Sequence, residues 1–264
     1  MPRGTTMARN TPEKREQRRQ RAAEALKERQ AAERRRKMLT IGGVVAALVA
    51  IVAIIFGITQ AMDTTGETPD NVPSVAEDPA ADAEGDAVPG KLDGYGILVG
   101  DPEAARTVTI YEDLQCPACA NLEAELGDEI SEAIDAGEIQ VDYRLLSFLD
   151  RASTNDYSSR ALNALLVVLD TAGIDAFRAF HDDLYANQPA EGGPGFDDDE
   201  LIERAVEAGA EESEIRADIE DKVYEQWIKN ATDQMSKDGV NSTPTIRIDG
   251  EDADPQQLAE LLQQ

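Results

Sequence analysis

Apolar and polar positions change their rhythm several times along this chain. Residues 11–37 are rich in Ala, Glu, Arg and Lys, with Thr11 placed as an N-cap and Pro12 at the first helical position, which predicts a polar helix. Residues 39–62 are then apolar and carry no charge. At about 1.5 Å per residue, roughly 20 such residues span a ~30 Å hydrocarbon layer. The run also exceeds the about 7–15 residues of a secretory h-region. It predicts one transmembrane helix. Thr59-Gln60-Ala61 is similar to a cleavage site, which leaves processing open, and no Cys follows to take a lipid anchor. Residues 63–90 hold four prolines, eight acids and no aromatic, the composition of a disordered acidic tether. A flexible chain of that length spans about 30 Å.

A globular pattern follows from about residue 91. Residues 95–99 and 107–111 read as strands, 117–136 as a helix, and 138–145 as a strand with one buried face. Strand, helix, strand at this spacing predicts a βαβ unit. Residues 152–239 read as helical. Leu162, Leu165, Leu166 and Leu169 mark one helix, and Phe177, Phe180 and Leu184 a second. Ile202, Ala205 and Val206 belong to a short third. Ile215, Ile219, Val223, Trp227, Ala231 and Met235 predict one longer last helix. A loop at 191–195 separates the second from the third. Residues 245–248 return to β, Asp249-Gly250 makes a turn, and Asp254, Pro255 and Gln257 open a helix carrying Leu258, Leu261 and Leu262. None of the helices shows a ligand constellation, and no cofactor is expected.

Charge adds orientation. The chain holds 25 Lys+Arg against 53 Asp+Glu, a net of −28. Residues 1–38 carry 13 basic and 5 acidic side chains, so nearly all the negative charge lies beyond residue 62. Arg34-Arg35-Arg36-Lys37 abuts the apolar run, and positive flanks stay cytoplasmic. The expectation is a single-pass cell-membrane protein, N-terminus inside and about 200 residues outside. The basic segment reads either as a solvated tail that mainly fixes topology or as a membrane-surface helix attracted to anionic lipid headgroups. The acidic body repels phosphate backbones, which argues against nucleic acid.

Two cysteines and one histidine leave few chemistries. Cys116-Pro117-Ala118-Cys119 falls between a strand and a helix. A first sulfur there faces unsatisfied N–H groups and the positive end of the helix dipole, which favours the thiolate. Pro117 suits a position that needs no amide donor. Such a pair performs thiol–disulfide exchange in either direction. The alternative is a non-catalytic binding module stapled by a structural disulfide, testable by stability in both redox states. A half metal site would have only His181 to draw on, and a Cys–His hydrolase would leave Cys119 without a role. His181 reads as an ordinary helix residue. Glu112 and Asp113, if close and charged, would raise the Cys116 pKa. Asp113 is either a surface or capping carboxylate or a proton relay to Cys119.

The segment from Glu112 to Cys119 resembles the active site of the DsbA-like branch of the thioredoxin superfamily. Val240-Asn241-Ser242-Thr243-Pro244-Thr245 resembles its second signature, a Thr–cis-Pro loop opening a strand. The resemblance runs from about residue 94 to the end. It implies an α/β thioredoxin-like fold with a helical insertion at about 150–239, which accounts for the separation of Cys119 from Pro244. It further implies Cys116 as the attacking or attacked sulfur, Cys119 as its resolving partner, and Pro244 as a cis residue facing them. The Thr243 backbone would pair with extended substrate. Exported protein thiols are the implied substrates, and a membrane quinone-linked oxidase the implied electron partner. Well-known strong oxidants of the family carry His where this chain has Ala118, so the direction of electron flow stays open between an oxidase and a reductase or isomerase.

Overall fold

The computed structural model describes Glu16, residues 64–76 and residues 88–263. The rest of the basic segment, the apolar run 39–62 and residues 77–87 lie outside the described residues. Among the described residues no helix is long and apolar enough to cross a membrane.

One six-stranded sheet organises the chain from Gly90 onward, in the order β1-β2-β4-β3-β5-β6. Its strands are β1 (Gly90–Asp93), β2 (Gly96–Val99), β3 (Arg106–Asp113), β4 (Ile139–Leu146), β5 (Thr245–Ile248) and β6 (Glu251–Ala253). β3 and β4 run parallel, joined by α1 (Pro117–Asp135), the βαβ unit expected from the pattern. All other pairs are antiparallel. Period-two alternation divides the central strands. Val108, Ile110, Val141, Tyr143 and Leu145 enter the main core, while Tyr111 and Leu146 join Met235 and Val240 in a smaller cluster on the other face. The closing helix α6 (Pro255–Leu262) has the expected capping box, with Asp254 accepting from the Gln257 amide and Gln257 accepting from the Asp254 amide.

The insertion keeps its expected pattern at one break and departs from it at another. The first two expected helices lie end to end in α2 (Tyr157–Ala186), separated by a kink at Gly173, whose φ of 83° a side chain would resist. Conversely, the apolar series from Ile215 to Met235 does not form one helix. It is split into α4 (Glu212–Glu220) and α5 (Glu225–Lys237), with Lys222 at φ 52° between them. The buried Asn163 side chain explains the split. It accepts from the Tyr224 amide at 2.9 Å and donates to the Asp218 and Ile219 carbonyls, supplying the partners that a continuous helix would have provided. The short third helix, α3 (Asp198–Glu207), forms as expected, with Asp197 and Glu200 in a capping box.

Two further features bear on the site. Residues 64–76, part of the stretch read as a tether, lie along the insertion. The Gly66 amide donates to Asn230, the Ser74 amide to Asp170 and the Ala76 amide to the Leu169 carbonyl, and Val75 packs on the core. The loop at 187–197 is fixed by buried Arg160, which donates to the Asp198 carboxylate at 2.7 Å and to the Phe196 carbonyl at 2.5 Å. Gly195 sits flat on Tyr157, where a Cβ would come within 2.0 Å of the ring.

Candidate active site

Strand register assembles the site. β5 opens with Thr245 opposite Tyr111, so the chain before it runs past the end of β3 toward the segment that starts α1. Thr243-Pro244 is a cis peptide there, and the Cys116 thiol donates to the Thr243 carbonyl at 3.4 Å. Cys116 is the N-cap of α1, with Pro117 at its first position. Its carbonyl accepts from the Cys119 and Ala120 amides, which start the helix. The five residues singled out from the sequence, Cys116, Pro117, Cys119, Thr243 and Pro244, are thus brought together. Both cysteines are free thiols, Cys116 at 7% exposure and Cys119 at 0%.

Their electrostatics diverge. The Cys116 thiol is pulled from an ordinary 9.0 down to about 5. A hydrogen bond from the Cys119 thiol contributes most. Burial opposes the shift, and the Thr243 side chain and the Cys119 and Ala118 backbone amides add to it. The same hydrogen bond, with burial and the Glu112 charge, pushes the Cys119 thiol far above its ordinary value. The shifts favour ionisation at Cys116, which then gives up its bond to the Thr243 carbonyl, and keep Cys119 a protonated donor to it.

Glu112 and Asp113 are not among the leading influences on Cys116; both side chains are buried and turned to other partners. Asp113 is no surface carboxylate. It accepts from the Gln115 amide at 2.9 Å, the Leu149 amide at 2.8 Å and the Ser158 hydroxyl at 2.6 Å. Burial nevertheless raises its carboxyl to about 6, against the lowering effect of these bonds. It braces the loop before Cys116 against the start of the insertion. That loop is also held from above: Gln188 donates to the Leu114 and Cys116 carbonyls, and Gln115 to those of Ala190 and Gly193.

Glu112 instead meets His181 across the main core, Oε2 to Nε2 at 3.2 Å. His181 is no ordinary helix residue; it is 2% exposed on α2 and ringed by Tyr143, Phe177 and Tyr185. Burial disfavours the imidazolium, but the Asp182 and Glu112 hydrogen bonds and the Glu123 charge outweigh it and raise His181 to about 10. This contact joins residues 69 apart, and no sequence signal pointed to it.

Comparison with known proteins places the chain. Residues 92–264 match the family model described as thioredoxin. The chain belongs to the thioredoxin family. Within it the chain is a DsbA-like protein thiol–disulfide oxidoreductase. It is similar to the disulfide bond oxidoreductase DsbG of Mycobacterium tuberculosis, with 34% identity and a TM-score of 0.54 over 62% of this chain and 81% of that one. It is also similar to DsbA of the same organism, with 33% identity and a TM-score of 0.55 over 64% of this chain and 92% of that one. The thiol-disulfide oxidoreductase MdbA of Corynebacterium matruchotii is 26% identical, with a TM-score of 0.57 over 66% and 92%. Among curated proteins, the serine/threonine-protein kinase PknE of Mycobacterium tuberculosis strain H37Rv is 27% identical over 168 residues. The match takes in 61% of this chain and 30% of that kinase, so the chain spans under a third of the curated relatives it matches.

Proposed function

We propose that the chain is a membrane-tethered, extracytoplasmic oxidase that forms disulfides in exported proteins through the Cys116–Cys119 pair. The observation that carries this reading is the split of the two thiols, with Cys116 pulled down to about 5 and Cys119 pushed up. A substrate thiolate attacks Cys116 Sγ of the oxidised pair. The S–S bond breaks, and Cys119 leaves and takes up a proton. A second substrate thiolate then attacks the substrate sulfur of the mixed disulfide. Cys116 departs as a thiolate, and low-pKa thiols leave fastest. Two electrons pass from two substrate thiols to the pair, and the product is a substrate disulfide. Stabilising the Cys116 thiolate stabilises the reduced enzyme and makes the pair oxidising. The Thr243 backbone beside Cys116 is the surface for an extended substrate segment, and Pro244 shapes it.

The apolar run 39–62 with its basic flank supports anchoring with the C-terminal domain outside the cytoplasm, in a compartment where disulfides persist. Family resemblance supports a membrane quinone-linked oxidase as the partner that reoxidises the pair. Replacing Cys116 with Ser tests the assignment. The purified chain loses oxidation of a reduced peptide, whereas an unchanged rate overturns it.

A further inference from the structure

A second constellation lies behind the cysteines, on the core side of α1. Glu112 from β3, Glu123 from α1 and His181 from α2 each offer a ligand atom, all within 4.8 Å of one another. Glu112 is fully buried, and its Oε1 has no hydrogen-bond partner among the described residues; the same is true of Glu123 Oε1. Two carboxylates thus converge on one imidazole, with lone pairs left unused in a place that water barely reaches. In the unliganded chain the His181 imidazolium balances the buried carboxylates, and a divalent ion entering between them would displace that proton and use the spare oxygens.

We propose that Glu112, Glu123 and His181 bind one divalent transition-metal ion of the zinc class. The chemistry of the donor set fits: imidazole with carboxylate oxygens suits borderline divalent ions, and three protein ligands leave an open position. Bond lengths of about 2.0–2.2 Å place neighbouring donors roughly 3.3 Å apart in a tetrahedron. Glu112 Oε2 and His181 Nε2 already stand at 3.2 Å, and a Glu123 carboxylate oxygen lies within 4.8 Å of both ligand atoms. An outer partner is present as well. Asp182 lies 3.5 Å from His181 Nδ1, the carboxylate–histidine–metal arrangement that orients a ligating ring. A cavity of about 270 Å³ between α1 and α2 reaches Glu123, with Asp128 and Glu129 beside it and Asp182 and Tyr185 opposite. Its acidic rim concentrates cations on the Glu123 side of the cluster.

The test must separate this site from the cysteines, whose reduced sulfurs are themselves zinc-type donors, and from an acidic surface that collects cations. The full-length chain is therefore oxidised first, so that neither sulfur can ligate, and titrated with Co²⁺ followed by Zn²⁺ competition. We expect one equivalent of Co²⁺ with a tetrahedral nitrogen–oxygen spectrum and no sulfur charge-transfer band, displaced by Zn²⁺. Glu123→Gln, at the cavity edge, should weaken binding at least tenfold without unfolding the chain, and Asp182→Asn by about tenfold. The paired Asp128→Asn and Glu129→Gln variant should keep the stoichiometry. Lack of stoichiometric uptake overturns the proposal, as does uptake that survives Glu123→Gln or vanishes with the rim pair.

Discussion

Removing the Cys119 thiol isolates the largest contribution to the reactivity of Cys116. In the reduced chain that thiol donates to the Cys116 thiolate and leads the causes that hold Cys116 at about 5 rather than 9.0. A hydrogen bond to a charged group is worth about 1.5–3 kcal/mol, and one pKa unit corresponds to about 1.36 kcal/mol. Cys119→Ala should therefore raise Cys116 by about one to two units, to about 6–7. The N-terminal amides of α1 and the Thr243 side chain remain and keep it below the free-thiol value. The variant carries a single cysteine, so the pH dependence of its alkylation, or of thiolate ultraviolet absorbance, reads Cys116 alone. Thr243→Val should produce a smaller rise, because Thr243 stands below Cys119 among the favourable causes. A Cys119→Ala titration that coincides with the wild type would refute the reasoning. So would a wild-type thiol that titrates near 9.0.

The lowered pKa also makes the stability of the reduced state depend on pH. A depressed acid contributes stability that is complete above its unfolded pKa and is lost as pH falls through the folded value. The unfolding free energy of the reduced chain relative to the oxidised one should therefore rise between about pH 5 and 9, at no more than about 1.4 kcal/mol per unit. Asp113, raised to about 6, has the opposite sign but is present in both redox states and cancels in the difference; a flat difference in paired urea melts contradicts the thiolate assignment. Asp113→Ala leaves the Gln115 and Leu149 amides without their acceptor and should cost about 2–4 kcal/mol in urea denaturation. A loss below about 0.5 kcal/mol, the range of ordinary surface changes, would show that the brace is unimportant. Asn163→Ala should cost roughly 2 kcal/mol or more by the same measurement, since it uncaps both sides of the α4–α5 break; a neutral result would show that the break does not depend on that side chain.

Sequence periodicity carried far wherever local chemistry and burial agreed. Alternation in β4, the capping box at Asp254 and Gln257, and Pro117 at the start of α1 are local statements that the fold repeats. The two site segments were legible because each has its own short signature, and antiparallel pairing of β5 with β3 then brings them side by side. Long-range contacts were another matter. The four-residue spacing from Ile215 to Met235 fits one helix, and only a side chain from α2 reveals why it breaks. Composition made residues 64–76 look solvated, but their backbone amides find Asn230, Asp170 and Leu169 in the insertion. Glu112 showed its charge in the sequence and not its direction, because strand parity points it into the main core toward His181. Short edge strands such as β6, three residues with two exposed, leave almost no apolar signal.

The equilibrium potential of the Cys116–Cys119 pair against glutathione tests the central claim most directly. A Cys116 thiolate held near pKa 5 at the head of α1 stabilises the reduced pair, which predicts a potential at or above about −180 mV, the range of disulfide-forming catalysts. A potential at or below about −270 mV, where thioredoxin works as a reductant, would contradict it.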